Sequence, residues 1–412
     1  MRVETITKCR LCGESSLAPV CNLGLLASCG IFPGAGEPDP DRAPLELVRC
    51  DECGLAQLRH DFDGDELFRE SYGYRSSLNE SMARHLGAIA RAAMDRARPQ
   101  PGDVVLDIGA NDGTSLSFYP ATLARIGIDP TIGRFDKYYP PDILRAADFF
   151  SEQSFRKLAG DAEAKIITSI AMFYDLPDPN AFVADIRAVL APDGLWALEL
   201  SYLPAMMDAN SFDTICHEHL EYYCLTQIER LLARHDLRVF DVALNDINGG
   251  SFQVWACRTH APYPENTAAL DALRQRERNE GYDSGAALKA LPARIEQARK
   301  DTIEFLSAAR EQGKLVHGYG ASTKGNTTLQ VCGIDAELLP AIADRNADKH
   351  GCRTPGSNIP IISEEDSRAA KPDYYFVLPW HFRSAFVQRE QDFLNRGGKF
   401  VFPLPRLEIV SA

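Results

Sequence analysis

Residues 105–114 read VLDIGANDGT and join an apolar run to a glycine-rich turn. The apolar run predicts a buried strand that ends at an acidic residue, and glycines in the turn let a ligand approach the backbone closely. A second predicted strand, residues 126–129, ends at Asp129, twenty residues beyond Gly109. A carboxylate there can accept hydrogen bonds from ribose hydroxyls. The spacing differs from Gly-x-Gly-x-x-Gly, so the sequence does not indicate a dinucleotide fingerprint.

Strand and helix patterns alternate on both sides of this turn. Residues 79–97 have amphipathic spacing and predict a helix that ends before a Pro- and Gly-rich break. Apolar runs at residues 165–170 and 194–200 predict two strands, with a helix at residues 179–190 between them. Residues 231–254 are more strand-like, as expected for late antiparallel strands. This order predicts a parallel, doubly wound α/β sheet.

The C-terminal part of the chain predicts a second α/β unit. The polar residues 268–313 predict one or two exposed linking helices, and residues 315–320 begin a strand, loop and helix. Further strands are predicted near residue 341 and at two later apolar runs, residues 374–378 and 399–402. At roughly 150 residues per domain, 412 residues allow two or three domains. We predict domains at residues 1–70, 71–265 and 266–412.

Two Cys-x-x-Cys-Gly sequences lie near the N-terminus, with Cys9 and Cys12 in one and Cys50 and Cys53 in the other. The two-residue gap lets both thiolates of a pair reach one ion, and the glycine permits the tight turn around it. Four thiolates leave no open coordination position, so the pattern predicts a structural Zn²⁺ site. Residues 1–70 show little apolar periodicity and are predicted to build little core unaided, with an irregular loop at residues 32–40.

Residues 216–223, CHEHLEYY, concentrate titratable groups just after a predicted strand. A histidine titrates near neutrality and suits a general base, and the adjacent Glu218 and His219 can share one cavity. The His-Glu-x-x-His spacing of a zinc protease is absent. A solvated charged turn is the competing interpretation. Among glycine-rich loops, residues 318–326 could cradle a phosphate at a helix N-terminus, with Lys324 as the point charge.

The composition excludes several classes of protein. With 45% apolar and 25% charged residues the chain is typical of soluble globular proteins, and no run approaches the roughly 18 apolar residues of a membrane helix. Residues 1–10 lack the apolar stretch of a signal peptide, so a cytoplasmic location is expected. The net charge of −14 argues against nucleic acid or an anionic membrane as a partner.

Taken together, these motifs resemble the three-domain, zinc-containing sugar C-methyltransferases that act on nucleotide-linked keto-deoxysugars. The resemblance covers nearly the whole chain in the family's order. Its motifs after the four cysteines are residues 72–77, 107–113, 217–219, 222–223, 249–251, 318–321, 324–326 and 379–380. The fold it implies is α/β: a small N-terminal zinc-binding domain, a class I methyltransferase (Rossmann-like) middle domain and a C-terminal Rossmann-like domain.

The resemblance also implies roles for individual residues. His219 is the candidate base, with Glu218 as its partner and Tyr72 or Tyr74 as a donor to the developing oxyanion. The residues expected to contact S-adenosylmethionine are Asp107, Gly109, Asp129, Asp148 and Phe149. Lys324 and Asn326 are the expected contacts to the sugar nucleotide. The chain departs from some members at three positions, Asp175, Cys216 and Asn248.

Three other functions remain open on the sequence. An O- or N-methyltransferase for sugar nucleotides would use the same cofactor with a hydroxyl or amine acceptor. An NAD-dependent sugar oxidoreductase would use the C-terminal Gly-x-Gly loop, although the third glycine of the fingerprint is missing. A zinc-ribbon interaction protein without catalysis is the non-enzymatic alternative.

Overall fold

Three regions of regular structure follow one another along the chain. A computed structural model describes residues 2–68 and 74–412. The strands within these residues form four sheets, with two, four, six and seven strands. Among the described residues, no helix combines the length and the apolar character that a membrane span requires.

The N-terminal region is built on a long β-hairpin. Its elements, in chain order, are β1 (Val3–Thr5), β2 (Leu17–Ala27), β3 (Arg42–Cys50), β4 (Ala56–Leu58), β5 (His60–Phe62) and α1 (Gly64–Phe68). The hairpin strands β2 and β3 were not predicted, because two register shifts break the alternation of apolar and polar residues. Their buried leucines Leu45 and Leu47 pack in one cluster with side chains of the C-terminal region. The core is therefore shared, as the composition predicts.

The middle region contains a seven-stranded sheet flanked by helices. Its helices are α2 (Glu80–Ala97), α3 (Ile132–Phe135), α4 (Glu152–Ala159), α5 (Pro179–Val189), α6 (Leu203–Asp208) and α7 (Leu225–Ala233). The strands of this region are β6 (Val104–Ile108), β7 (Ala124–Ile128), β8 (Leu144–Ala146), β9 (Ala164–Ile170), β10 (Leu190–Ser201), β11 (Glu221–Tyr222), β12 (Leu237–Asn245) and β13 (Ser251–Arg258). All of them except β11 belong to the seven-stranded sheet.

The order of this sheet is β12-β13-β10-β9-β6-β7-β8. The strands from β10 to β8 are parallel, and β12 and β13 are antiparallel to their neighbours. The prediction of a doubly wound sheet with late antiparallel strands is confirmed. Because β6 and β7 are parallel neighbours, the glycine turn and Asp129 lie at the same edge of the sheet.

Residues 231–254 differ from the prediction at their start. Helix α7 continues to Ala233, and β12 begins only at Leu237. The buried residues of α7 have the spacing of one helix face. They are Leu225, Ile228, Leu231 and Leu232. Two neighbouring leucines at the end of that face made the segment look like a strand.

Helices α8 (Thr267–Asn279) and α9 (Leu291–Glu311) lead into the C-terminal region. The elements that follow are β14 (Val316–Tyr319), α10 (Thr323–Cys332), β15 (Ile342–Asp344), β16 (Ile361–Ser363), α11 (Glu364–Ala369), β17 (Tyr374–Val377), α12 (Arg383–Arg389), α13 (Gln391–Asn395), β18 (Lys399–Phe402) and β19 (Glu408–Val410). The six strands have the order β16-β15-β14-β17-β18-β19, parallel up to β18. The predicted second Rossmann-like sheet is confirmed, whereas α9 buries an apolar stripe and is not simply exposed.

The three regions interlock around residues 212–222. Strand β11 leaves the middle region and pairs with β4 of the N-terminal sheet, with Glu221 opposite Gln57. Helix α10 of the C-terminal region contacts both residues 212–214 and β2. The division at residues 1–70, 71–265 and 266–412 stays a prediction. Strand pairing and helix contacts join residues on both sides of these boundaries. The segment with the candidate catalytic residues lies where all three regions meet.

Candidate functional site

Four sulfur atoms from the two Cys-x-x-Cys-Gly sequences meet at one point. The Sγ atoms of Cys9, Cys12, Cys50 and Cys53 all lie within 4.8 Å of one another. A tetrahedral Zn²⁺ ion with Zn–S bonds of about 2.3 Å would place its sulfur atoms about 3.8 Å apart, which this cluster can accommodate. The donor set consists of four thiols, so it fits a closed structural site without a position for substrate.

The backbone around these cysteines has the shape that such a site needs. The amide of Gly13 donates to the carbonyl of Cys9 at 2.9 Å, and the amide of Gly54 donates to the carbonyl of Cys50 at 3.0 Å. Both glycines have positive φ, 82° and 79°, which side-chain-bearing residues rarely adopt. Cys50 ends β3, so a bound ion would tie the hairpin to the turn at Cys9.

A cleft of about 1690 Å³ lies where the three regions meet. Its lining includes Gly30 of the N-terminal region, Gly109 and His219 of the middle region, and Lys324 of the C-terminal region. Pockets for one small molecule are commonly about 300–1,000 Å³. The cleft therefore has room for two small molecules side by side.

The glycine turn after β6 forms one wall of the cleft. Gly109 has φ of +72°, and a Cβ atom there would lie 3.0 Å from the Cγ atom of Met172, so glycine is required on both counts. Asn111 fastens a second segment over this turn: its Nδ2 donates to the carbonyl of Tyr74 at 3.0 Å, and its Oδ1 accepts from the amide of Ser76 at 3.0 Å. The backbone of the turn therefore faces the cleft, and residues 74–76 are held over it by Asn111.

Two buried carboxyl groups, Asp107 and Asp129, line the same wall. Asp129 accepts from the amide of Asn111 at 2.9 Å through Oδ2 and from the amide of Thr131 at 2.6 Å through Oδ1. Burial raises the pKa of Asp129, and it raises the pKa of Asp107 to about 7 although Thr168 donates a hydrogen bond to that carboxyl. Asp129 thus organises the glycine turn in addition to facing the cleft.

The two remaining predicted cofactor contacts, Asp148 and Phe149, and the two predicted catalytic tyrosines, Tyr72 and Tyr74, differ in their positions. Tyr74 and Phe149 line the cleft, with 44% and 41% of their surface exposed. Asp148 lies beside Phe149, and its Oδ1 accepts from the Phe149 amide at 2.9 Å. Tyr72 lies outside the residues that the structure describes. The structure thus brings Asp107, Gly109, Asp129, Tyr74 and Phe149 to one cleft.

His219 is held in one orientation by the backbone. Its Nδ1 lies 2.8 Å from the carbonyl oxygen of Thr214, and its ring packs edge-on against that of Tyr174, with centroids 4.5 Å apart. A carbonyl oxygen only accepts, so Nδ1 carries the proton and Nε2 keeps its lone pair. Burial, and then the charge of Lys324, lower the pKa of His219 to about 3. His219 is therefore an uncharged base near neutral pH.

Glu218 is buried beside this base. It is 7% exposed and lines the cleft, and its Oε2 has no hydrogen-bond partner among the described residues. Burial raises the pKa of its carboxyl group. Asp175 also lines the cleft, and burial together with the charge of Glu218 raises its pKa well above the ordinary value. These carboxyl groups favour retaining a proton.

His217 faces a different environment from its neighbours. It is fully buried, its Nε2 lies 3.3 Å from the carbonyl oxygen of Ala43, and its ring packs edge-on against Phe62. Burial lowers its pKa to about 4. His217 therefore packs the N-terminal sheet onto the catalytic segment.

The two predicted sugar-nucleotide contacts separate in the structure. Lys324 lines the cleft, and its Nζ donates to the carbonyl of Asn248 at 2.7 Å. Asn326 is fully buried, and its Nδ2 donates to the carbonyl of Cys29 at 2.7 Å. Asn326 lies behind the cleft wall and ties two regions together. Its placement does not support the expectation that it touches the substrate, because residues at i and i+2 of a helix point in different directions.

Sequence reasoning missed several residues that shape the site. Gly30 lines the cleft next to Glu218, the carbonyl of Thr214 orients His219, and Asp213 accepts from Nε1 of Trp380 at 2.8 Å. The dipeptide Cys29-Gly30 carries no motif, and a backbone carbonyl leaves no mark in a sequence. Of Asp213 and Trp380, only Trp380 lies in a motif shared with the family, residues 379–380.

The seven-stranded sheet, its glycine turn and the acidic strand end define a class I methyltransferase. Matches to family models agree with this class: "C-methyltransferase C-terminal domain" at residues 246–405, "Methyltransferase domain" at residues 79–242, and a zinc binding domain at residues 9–68. The C-methyltransferase NovU of Streptomyces niveus is 31% identical over 418 aligned positions, which cover 100% of this chain and 98% of NovU. The chain belongs to this family of C-methyltransferases.

Comparison with solved structures gives weaker similarities. A chain of the complex between the Trm112 methyltransferase activator and a methyltransferase of Haloferax volcanii is 15% identical, with a TM-score of 0.35, covering 44% of this chain and 95% of that chain. Magnesium protoporphyrin IX methyltransferase of Synechocystis PCC 6803, with bound S-adenosylhomocysteine, is 11% identical, with a TM-score of 0.35, covering 44% and 88%.

The protein is therefore an S-adenosylmethionine-dependent C-methyltransferase with a zinc-binding N-terminal region. The wall with Gly109, Asp107 and Asp129 has the character that this cofactor needs, namely open backbone and buried carboxyl groups. Glu218, His219 and Lys324 line the same cleft.

The zinc site gives the first prediction. Replacing Cys50 and Cys53 together by serine should release the ion and lower the thermal stability, because bound zinc contributes directly to folding free energy. Metal analysis and a thermal melt measure both effects, with Cys21→Ser as the control for thiol loss. Unchanged stability with no zinc in the wild-type protein would contradict the assignment.

Asp129 gives the second prediction. Asp129→Ala should weaken S-adenosylmethionine binding by roughly ten- to a hundredfold, the cost of about 1.5–3 kcal/mol for a lost charged hydrogen-bond acceptor. Because Asp129 also holds the amides of Asn111 and Thr131, the variant should in addition melt at a lower temperature. Isothermal titration calorimetry measures the affinity.

The matched control is Asp103→Ala, which removes a carboxylate that caps the turn at the other end of β6 by accepting from the Gln100 amide. This control should lose some stability and keep its affinity for the cofactor. Wild-type affinity in Asp129→Ala would refute the cofactor assignment.

Proposed function

We propose that the protein methylates a carbon next to the ketone of a nucleotide-linked 4-keto-deoxysugar. A hydrogen on such a carbon is acidic because the carbanion that remains is delocalised as an enolate. The chain must then remove one proton and hold the carbon in line with the methyl donor. The observation that carries the proposal is the lone pair on Nε2 of His219, inside a cleft large enough for a second ligand.

His219 is suited to remove this proton. Its Nδ1–H is committed to the carbonyl of Thr214, so Nε2 alone can accept the proton from carbon. The imidazole and the reacting carbon start uncharged, and the imidazolium that forms lies beside the enolate, whose charge must offset the low basicity of a ring with a pKa of about 3. In a desolvated cleft, these opposite charges stabilise each other more strongly than in water.

Glu218 and a tyrosine complete the proposed machinery. The raised pKa of Glu218 favours the carboxylic acid, which can donate to the substrate oxygen where negative charge develops. Tyr74 also lines the cleft and is a second candidate donor, together with Tyr72. When bound, S-adenosylmethionine supplies the electrophilic methyl group that the enolate carbon receives.

Lys324 supports an anionic or oxyanionic substrate on the same side. Its amino group lines the cleft, burial lowers its pKa, and a negative ligand group beside it would favour the charged form. Asp175 and Cys216, where some family members have His and Tyr, lie next to Glu218 in the acidic part of the site. We expect these two positions to orient the sugar.

Removal of the base gives the third prediction. His219→Ala should lower turnover by roughly 10²–10⁴-fold, the usual worth of a general base, and leave S-adenosylmethionine affinity near normal. The same variant should lose enzyme-dependent exchange of the sugar's acidic hydrogen with heavy water when S-adenosylhomocysteine fills the cofactor site. Suitable probes are thymidine-, cytidine- and guanosine-diphosphate-linked 4-keto-6-deoxyglucose.

Two variants control this experiment. Glu218→Gln should impair exchange, because it removes the acidic proton at nearly constant size. His217→Ala should impair exchange less than His219→Ala, because His217 packs against Phe62 and Ala43. A fast His219→Ala enzyme would exclude His219 as the base, and methyl on oxygen or nitrogen in the product would exclude a carbon acceptor.

The pH dependence gives the fourth prediction. Because the pKa of His219 is lowered to about 3, the ring stays uncharged at every pH above about 4, and acidification from pH 8 to 5.5 should not protonate it. The kcat/KM of hydrogen exchange should therefore lack an acidic limb centred near the ordinary histidine pKa of about 6.5. Such a limb in the wild-type enzyme would contradict the described environment of His219.

A further inference from the structure

Gly30 approaches the catalytic carboxyl group more closely than a side chain would allow. A Cβ atom at this position would lie 2.5 Å from Oε1 of Glu218 and 3.6 Å from its Cδ. Gly30 does not have the positive φ that favours glycine for its own backbone. A side chain here would therefore have to displace the tip of Glu218, and this contact joins the N-terminal region to the catalytic segment.

Helix α10 of the C-terminal region fixes the segment that carries Gly30. Gln330 binds Ala27 reciprocally, since its Oε1 accepts from the Ala27 amide at 2.8 Å and its Nε2 donates to the Ala27 carbonyl at 3.1 Å. Asn326, one helical turn earlier, donates to the carbonyl of Cys29 at 2.7 Å. Three hydrogen bonds to the main chain thus hold residues 27–29 against one face of α10.

The same helix contacts the segment that orients the base. It packs against residues 212–214, whose last carbonyl binds Nδ1 of His219, and Thr327 donates to the carbonyl of Ile215 at 3.4 Å. One helix of the C-terminal region therefore supports both sides of the catalytic pair. On one side it acts through Gly30 and on the other through Thr214.

We propose that Gly30 is a positioning residue: its bare backbone, held by α10, sets where the Glu218 carboxyl lies relative to His219 and the acceptor. The proposal rests on the proposed function only for the catalytic role of Glu218. It gives the zinc-binding region a direct part in catalysis, because the segment after β2 forms the wall against which the carboxyl group rests.

The surroundings of Glu218 agree with such a role. Its Oε1 lies against Gly30, and the backbone of Gly30 partly offsets the effect of burial on the pKa of this carboxyl. Its Oε2 has no partner among the described residues. The contact with Gly30 therefore fixes one oxygen of the carboxyl group against the N-terminal region, and the Cys216 thiol also interacts with this group.

The test is Gly30→Ala. The methyl group would have to displace the tip of the Glu218 side chain by about 1 Å, and misplacements of that size can lower rates by about a hundredfold. We expect enzyme-dependent exchange of the acidic hydrogen in the three 4-keto sugar nucleotides to fall roughly ten- to a hundredfold. Zinc content and S-adenosylmethionine affinity should stay near wild type, because both sites lie away from the contact.

Gly34→Ala is the matched control. It makes the same substitution four residues away, without positive φ, and its methyl group would meet only the carboxylate of the exposed Glu37 at 3.3 Å. This control should exchange hydrogen at the wild-type rate. A similar loss in both variants would mean that the segment tolerates no change, and would overturn the specific role of Gly30.

A double-mutant cycle distinguishes positioning from general damage. In a Glu218→Asp background the shorter side chain leaves space for the methyl group, so Gly30→Ala should cost less than about twofold there. An equal loss in both backgrounds, or no loss from Gly30→Ala in the wild-type background, overturns the proposal.

If Glu218→Gln slows exchange while Gly30→Ala does not, the proposed function survives and only the positioning role fails. If neither slows exchange, both fail.

Discussion

The hydrogen bond of 2.8 Å between Nδ1 of His219 and the carbonyl oxygen of Thr214 decides what the cleft can do. It fixes the proton on Nδ1 and leaves Nε2 as the single basic atom of the ring. Thr214 is itself held, because its hydroxyl lies 2.8 Å from that of Ser211 and the neighbouring Asp213 accepts from Nε1 of Trp380. The tautomer of the base therefore depends on contacts that reach into the C-terminal sheet.

The assembly of the three regions has a chemical consequence. Strand β11 continues the N-terminal sheet directly after His219, and α10 closes the segment from the opposite side. Water is thereby kept from Glu218 and His217, which are 7% and 0% exposed. Desolvation keeps His219 uncharged near neutral pH and raises the pKa of Glu218, so it acts on the base and on the carboxyl group in opposite directions.

Features that depend on neighbouring residues in the chain could be predicted from the sequence, whereas features that depend on contacts between distant residues could not. The apolar run of β6, the amphipathic spacing of residues 79–97 and the paired cysteines are local signals, and the structure has a strand, a helix at residues 80–97 and a four-cysteine cluster there. The β2–β3 hairpin was missed because bulges break its alternation, and α7 was misread because Leu231 and Leu232 are adjacent. The sequence predicts Asn326 as a substrate contact but cannot tell which side of α10 faces the cleft, and in the structure Asn326 binds the carbonyl of Cys29. Gly30 and Thr214 act through backbone atoms, which leave no pattern in the sequence.

The central claim, an uncharged His219 with its proton on Nδ1, is tested most directly by NMR of the enzyme labelled with ¹⁵N in its histidines. The His219 signals are assigned as those missing from the His219→Ala spectrum. The account predicts a neutral ring protonated at Nδ1, with signals that do not titrate between pH 5.5 and 8. A ring protonated at Nε2, or a charged ring that titrates near the ordinary histidine pKa of about 6.5, would contradict it.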